Sequence, residues 1–340
     1  MLKKLLYLTL SLLLFLSCFS CSKKQEEKAI QFVDAEFGNV VAEAFSKDVS
    51  ELTLQDLSNV EGVDIRYYSK YLSDTNSYKK VWSVSVTTKG YRNVYDYYFS
   101  ADSSERENLP KPADYRFTTE LQSFNGYSDL NKFPAIKELT IDSEYDIIKI
   151  NPLQYITGLI SIETLSVYNF AVPDLKPLTL FPNIKNLSIG LNPKNLEPDE
   201  KIDFITDISP LKQLKNLETL SLMGTAVSDL SPLVSLQNLK QLACTMSSLT
   251  NISPVARMTS LESVDFYYNA IENIEPLVNL PNLQYIRLDY NYISDVTPFA
   301  NLDPDKIKYI TLEMNAISDP SPMKHLGENK VYVGYDLYWD

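Results

Sequence analysis

Leu217–Pro304 reads LETLSLMGTAVSDLSPLVSLQN, then LKQLACTMSSLTNISPVARMTS, then LESVDFYYNAIENIEPLVNLPN, then LQYIRLDYNYISDVTPFANLDP. Aligned at a 22-residue spacing, the four lines agree at seven apolar positions. Leu217, Leu220, Leu222, Val227, Leu230, Leu233 and Leu236 in the first recur as Leu283, Ile286, Leu288, Ile293, Val296, Phe299 and Leu302 in the last. A fixed period of this size marks stacked supersecondary units. The LxL alternation gives each unit a short strand with one face inward. Ser209, Ser231, Ser253 and Thr297 each stand directly before a proline. That order predicts an N-cap followed by proline at the first helical position, hence a short helix or 3-10 turn. One unit alone cannot bury its leucines, so neighbours must stack and the ends must be capped.

Working outward, looser copies begin at Ile136, Ile162 and Ile184, and one follows at Ile307. The Ile184 copy carries an insertion near Pro193–Phe204. Asn192, Asn269, Asn291 and Asn315 stand just after the strand, where a buried amide bonds turn backbone and builds an asparagine ladder. Thr225 and Ser247 take that place in two middle units and predict a weaker ladder there. The combined pattern, clearest at Asn291-Tyr292-Ile293-Ser294-Asp295 and Asn315-Ala316-Ile317-Ser318-Asp319, resembles the 22-residue leucine-rich repeats of the internalins and related bacterial surface proteins. The resemblance implies an α/β leucine-rich-repeat solenoid. Such a fold is a right-handed β-α superhelix with parallel strands on the concave face and short helical or 3-10 turns on the convex face.

The ends fit that frame. Lys3 and Lys4 precede an apolar run from Leu5 to Phe19, which reads as an export signal over residues 1–21. Cys21 after Ser20 resembles a bacterial lipobox, with Cys18 after Ser17 as the alternative, and implies a lipid anchor on the cysteine. Residues 22–29 are then a tether. Residues 30–65 read as a helical cap and a first degenerate repeat: an amphipathic helix from Ile30 to about Phe45, a second helix capped by Thr53, and a strand through Val60, Val63 and Ile65. Residues 66–120 break the repeat and are rich in aromatics. Here Val81–Val86 and Tyr91–Phe99 are expected to form an inserted hairpin or small β subdomain, turning at Thr88-Lys89-Gly90. Repeats occupy 121–330, and 331–340 closes the C-terminal end as a last strand with an aromatic plug.

The net charge of −13 excludes a phosphate-binding surface and with it a nucleic-acid partner. The one histidine, His325, leaves no partner set for a Ser-His-Asp or Cys-His site. No clustered His/Cys spacing points to a metal, and no glycine loop points to a phosphate cofactor. The acidic insertion around Asp199, Glu200, Asp203 and Asp207 reads as a solvated loop rather than a calcium site. Cys244 falls on a core position of its unit. No enzymatic activity and no cofactor are therefore expected.

Strand alternation also says which side chains face out. Tyr168 and Met223 do so in the earlier units, and Tyr267, Tyr285, Arg287, Asp289 and Tyr309 in the later ones, with Met246, Tyr268 and Tyr290 on the rim just after the strand. Tyr, Met and Arg are the residue types enriched at protein interfaces. These ten residues form the expected ligand-binding surface. A protein ligand is expected, and a glycan stays open because the same rings stack on sugars. By its resemblance to internalin-like proteins, the chain would be a surface-anchored adhesion or recognition module at the outer membrane or cell surface. The alternatives are a periplasmic scaffolding lipoprotein and, third, an enzyme using residues 66–120.

Overall fold

The computed structural model describes residues 30–72, 77–88, 117–121, 126–143, 146–196, 201–327 and 329–334. Its centre is one 12-stranded sheet. Strands β1 (Val60–Leu72), β4 (Glu138–Ser143), β5 (Thr164–Tyr168), β6 (Asn186–Gly190), β7 (Thr219–Met223), β8 (Gln241–Thr245), β9 (Ser263–Asp265), β10 (Tyr285–Arg287), β11 (Tyr309–Thr311) and β12 (Val331–Tyr332) run parallel in chain order. Each repeat contributes one strand, and the register advances by one unit per strand: Leu220 pairs with Leu242, and Ile286 with Ile310. The 3-10 turns return the chain along the opposite side, as at Ser209–Gln213, Ser231–Ser235, Ser253–Arg257 and Thr297–Asn301. All seven apolar positions of the four central units are buried, in one continuous core from Phe37 to Val333. The fold is a leucine-rich-repeat solenoid.

The 3-10 turns are not capped as the Ser-Pro order suggests. Ser209, Ser231, Ser253 and Thr297 are already the first residues of their turns; the N-cap positions are Ile208, Leu230, Ile252 and Val296, whose side chains make no cap bond, and the Asp or Asn just before them bonds the first N–H instead. Asp207 Oδ1 accepts from Ser209 N at 2.8 Å, Asp229 from Ser231 N at 2.8 Å, Asn251 from Ser253 N at 2.9 Å, and Asp295 from Thr297 N at 2.8 Å. An Asx side chain bonding two residues ahead satisfies an orphan N–H that the serine, one position inside, cannot reach.

The asparagine ladder stands at Asn269, Asn291 and Asn315. Asn291 donates to Phe266 O and Leu288 O, both at 3.0 Å, and accepts from Ile271 N at 3.0 Å. Asn192 does not join it. Its side chain caps the Pro193–Asn195 turn, and Asn169 takes over by bonding Ser143 O and Asn192 N. In the two middle units, Thr225 and Ser247 bond each other at 2.8 Å, a shorter substitute spanning the same gap.

At the N-terminal end, helix α1 (Ala35–Ala44) covers the first strands. It starts later than the amphipathic pattern suggests because Asp34 caps it, accepting from Phe37 N at 3.0 Å. The short helix α2 (Leu54–Leu57) is capped by Thr53 as expected, in a capping box with Asp56. A buried carboxylate pins this end: Asp129 accepts from Val33 N and Asp34 N, both at 2.9 Å, and from Lys132 Nζ at 2.6 Å.

The inserted hairpin is built from other segments than expected. β1 runs on through the 65/66 boundary to Leu72 and pairs antiparallel with β2 (Ser77–Thr88). The strand around Val81–Val86 is therefore present, but over Trp82–Val86 its second edge is taken by β3 (Phe117–Leu121). Both edges are paired there, and the expected partner segment Tyr91–Phe99 lies outside the described residues. The C-terminal strand is limited to Val331–Tyr332, and the expected aromatic plug over 335–340 lies outside the described residues.

Candidate functional site

The sheet face carries the residues that strand alternation assigns to it. Along β7 and β8 the inward residues are buried, and Thr219, Ser221, Met223, Ala243 and Thr245 are half-buried between them. Small side chains make this stretch shallow. From β9 onward the surface rises into rings. Tyr267, Tyr268 and Tyr290 form one cluster, with centroids 6.1 Å (Tyr267–Tyr268), 5.3 Å (Tyr267–Tyr290) and 5.8 Å (Tyr268–Tyr290) apart. Tyr268 and Tyr290 are 56% and 40% exposed. Tyr285 and Tyr309 sit on paired positions of β10 and β11, both exposed, and Tyr309 packs on Tyr332 at 5.2 Å.

A polar network stands against one of these rings, that of Tyr267. The Arg287 guanidinium lies 4.4 Å from the Tyr267 ring centroid and is held by Asp265 (3.2 Å) and Asp289 (3.1 Å). Asp265 also accepts from Tyr267 N at 3.0 Å. Asp289, read from sequence as facing a ligand, is buried at 7% exposure. Its carboxylate accepts from Thr311 Oγ1 and Glu313 N, both at 2.8 Å, besides Arg287. Its place is beneath the ring surface, as the support that orients Arg287.

The ten expected residues do not all meet. Tyr267, Tyr268, Tyr285, Arg287, Tyr290 and Tyr309 lie on or directly after three adjacent strands, β9 to β11, with Asp289 beneath them. Met246 is half-buried on the turn after β8, beside this group. Met223, half-buried at the end of β7, is two strands from β9. Tyr168, half-buried on β5, is four strands away, about 19 Å along the stacking direction. Cys18 and Cys21 lie outside the described residues.

Two features escape a reading of the sequence. First, the residue two after the inward pair of the strand turns through the left-handed region: Asn169 (φ 57°), Gly224 (57°), Met246 (50°), Tyr268 (56°), Tyr290 (56°) and Met314 (55°). Asn and Gly take that conformation readily, whereas Tyr and Met do not. Second, from Glu61 near the start of β1 through the positions just before β4 to β9, the chain reads Glu61, Lys137, Glu163, Lys185, Glu218, Lys240, Glu262, an alternating row that ends at Gln284 before β10. Lys185–Glu163 closes at 2.7 Å and Lys240–Glu218 at 2.9 Å. The 22-residue period carried this signal in plain view.

Among the described residues nothing resembles a reaction centre. No group of three or more His, Cys, Asp or Glu side chains is placed to hold a metal. Burial pushes the Cys244 thiol up to about 11, so it stays protonated inside the core. His325 bridges two units, with Nε2 2.9 Å from Leu302 O and Nδ1 3.1 Å from Pro322 O. Among the described residues no helix is long and apolar enough to cross a membrane.

Comparison with known proteins agrees with the architecture. A family profile described as "Leucine Rich repeats (2 copies)" matches residues 259–301, the two units that carry most of the ring cluster. No curated protein matches the chain. An internalin (inlF) from Listeria monocytogenes is similar at 20% identity, over 89% of this chain and 76% of that one, with a TM-score of 0.54. Internalin C2 (inlC2) from the same organism is 27% identical over 65% of this chain and 87% of that one, with a TM-score of 0.47. The leucine-rich-repeat protein LIC12759 of Leptospira interrogans is 16% identical over 61% of this chain and 68% of that one, with a TM-score of 0.31. The chain carries leucine-rich repeats and shares its solenoid fold with a bacterial internalin.

Proposed function

We propose that the protein is a surface-anchored recognition module that binds a partner protein through the concave sheet, with adhesion the outcome. The observation that carries this reading is the ring cluster after β9 and β10, with Tyr268 and Tyr290 exposed and Arg287, paired to two carboxylates, against the Tyr267 ring. Exposed tyrosines on a stiff backbone give large contact area at small entropic cost, and such residues carry most interface energy. A continuous open sheet favours binding over catalysis, which needs a closed, water-excluding pocket. The lipobox-like Cys21, with Cys18 as the alternative, supports a lipid anchor and a short tether over residues 22–29.

A pull-down with soluble Ser22–Asp340 tests the binding reading. Wild type is compared with the Tyr267→Ala, Tyr285→Ala, Tyr290→Ala triple variant against host-cell and bacterial-envelope extracts, with circular dichroism confirming the fold. Loss of a specific protein partner in the variant supports the reading. Equal retention by both proteins refutes it, and capture only from the bacterial extract favours an envelope scaffold. Metabolic labelling with a fatty acid, lost on Cys21→Ala, tests the anchor.

A further inference from the structure

We propose that the ledge formed by Tyr267, Tyr268 and Tyr290 receives a lysine- or arginine-rich segment of the partner protein; this rests on the binding reading above. Three observations point to it. The first is the backbone. Tyr268 and Tyr290 stand in the left-handed region, at a place where Asn169 and Gly224 serve earlier units without strain. Their rings pack on each other and on Tyr267 but stay largely open to solvent, so burial offsets only part of the cost of that conformation. Exposed rings held at a cost to the backbone point to a contact outside the fold.

The second observation is charge. On β9 to β11 and the turns that follow, Asp265, Asp289 and Glu313 stand against a single cation, Arg287. That cation is already taken up by the two aspartates. The ledge therefore carries an excess of negative charge within a chain of net charge −13. Aromatic faces over a negative field attract cations, and the effect grows when the site is desolvated.

The third is geometry. Arg287 over the Tyr267 ring, at 4.4 Å, is an intramolecular instance of the contact an incoming guanidinium or ammonium would make on Tyr268 and Tyr290. A lysine or arginine stem also supplies apolar surface to the rings while its head stays near the carboxylates. A neutral sugar fits less well. It needs directional polar partners, and the carboxylate of Asp289 is already bonded to Thr311, Glu313 N and Arg287.

The test uses the full chain, purified in nonionic detergent, to select from a displayed library of random dodecapeptides. The selected sequences should be enriched in Lys and Arg, and their binding should weaken as salt rises. Tyr268→Asn/Tyr290→Asn should weaken the selected peptides by roughly tenfold or more, while its melting temperature stays level or rises, because Asn accepts the left-handed backbone. Glu313→Gln, which leaves the rings in place, should weaken them by about threefold. Selection of neutral or acidic sequences, no selection above that on an unrelated protein, or basic peptides bound equally by the Asn variant would each overturn the proposal. So would a neutral glycan bound by wild type and lost in the Asn variant. The last result would leave the ledge standing as a binding surface, whereas retention of a natural partner by the triple alanine variant would remove that surface altogether.

Discussion

Replacing Asn291 by alanine isolates what the ladder contributes. Its amide makes three bonds of 3.0 Å, donating to Phe266 O and Leu288 O and accepting from Ile271 N, with a longer one of 3.3 Å donated to Asp289 O. The two carbonyls keep a second donor, since Asn269 also reaches Phe266 O at 3.1 Å and Asn315 reaches Leu288 O at 2.9 Å. The Ile271 N–H loses its side-chain acceptor. One orphaned N–H, two weakened carbonyls and a small void together predict a loss of about 2–4 kcal/mol. Urea denaturation followed by circular dichroism should show a lower midpoint with an unchanged slope. Amide exchange at Ile271 should speed up by at least tenfold. Asn291→Asp should cost at least as much, because it keeps the acceptor but turns an oxygen toward two carbonyls. A loss below about 1 kcal/mol, with Ile271 still protected, would refute the view that the amide holds these turns together.

Other parts of the structure give equally direct tests. Asp129→Ala leaves Val33 N, Asp34 N and Lys132 without their buried carboxylate and should cost about 3–5 kcal/mol, read as early proteolysis of the cap over residues 30–45. Gly190→Ala should destabilise by about 1–3 kcal/mol in thermal melts, since backbone must shift to accept a methyl; a Cβ there would lie 2.1 Å from Met223 O. Bonds from the Ser231, Thr297 and Ser321 hydroxyls hold the carboxyls of Asp229, Asp295 and Asp319 below the usual 3.8, and the Ser209 backbone N–H does the same for Asp207. Their contribution is fully present above that ordinary value and is lost as pH falls through the depressed native ones. Acid unfolding should therefore steepen below about pH 4, and Asp229→Asn, which keeps the acceptor as Asn251 does, should reduce the steepness.

The repeat was legible because each of its apolar positions answers a packing demand. Leu220, Leu222, Leu230 and Leu233 point inward in every arrangement that stacks the units, and all are buried. Ring positions such as Tyr285 and Tyr309 were legible for the same reason, by alternation with Ile286 and Ile310. The sign of φ at Tyr268 and Tyr290 was not, because a backbone torsion leaves no periodic trace when the residue is neither Gly nor Asn. The N-caps stand one residue before the Ser or Thr, and the acceptor side chain two residues before it, because Ser-Pro is the stronger local signal while the Asp bond depends on how the chain enters the turn. The partner of Val81–Val86 was missed because β1 is a repeat strand that runs on to Leu72, so the hairpin shares a strand with the solenoid. Asp289 looked like a surface acid because alternation sets direction but not depth, and Thr311 and Arg287 close over it.

The central claim is that partners meet the concave ring face and not the convex turns. A photoreactive benzoyl-phenylalanine placed at Tyr285, exposed on β10, is compared with one at Ser235, exposed on the 3-10 turn of another unit. Cells displaying each full chain are irradiated with the partner present, and adducts are resolved by size. Binding through the ring face gives a partner adduct from position 285 and none from position 235. An adduct from 235 alone, or equal adducts from both, would contradict it.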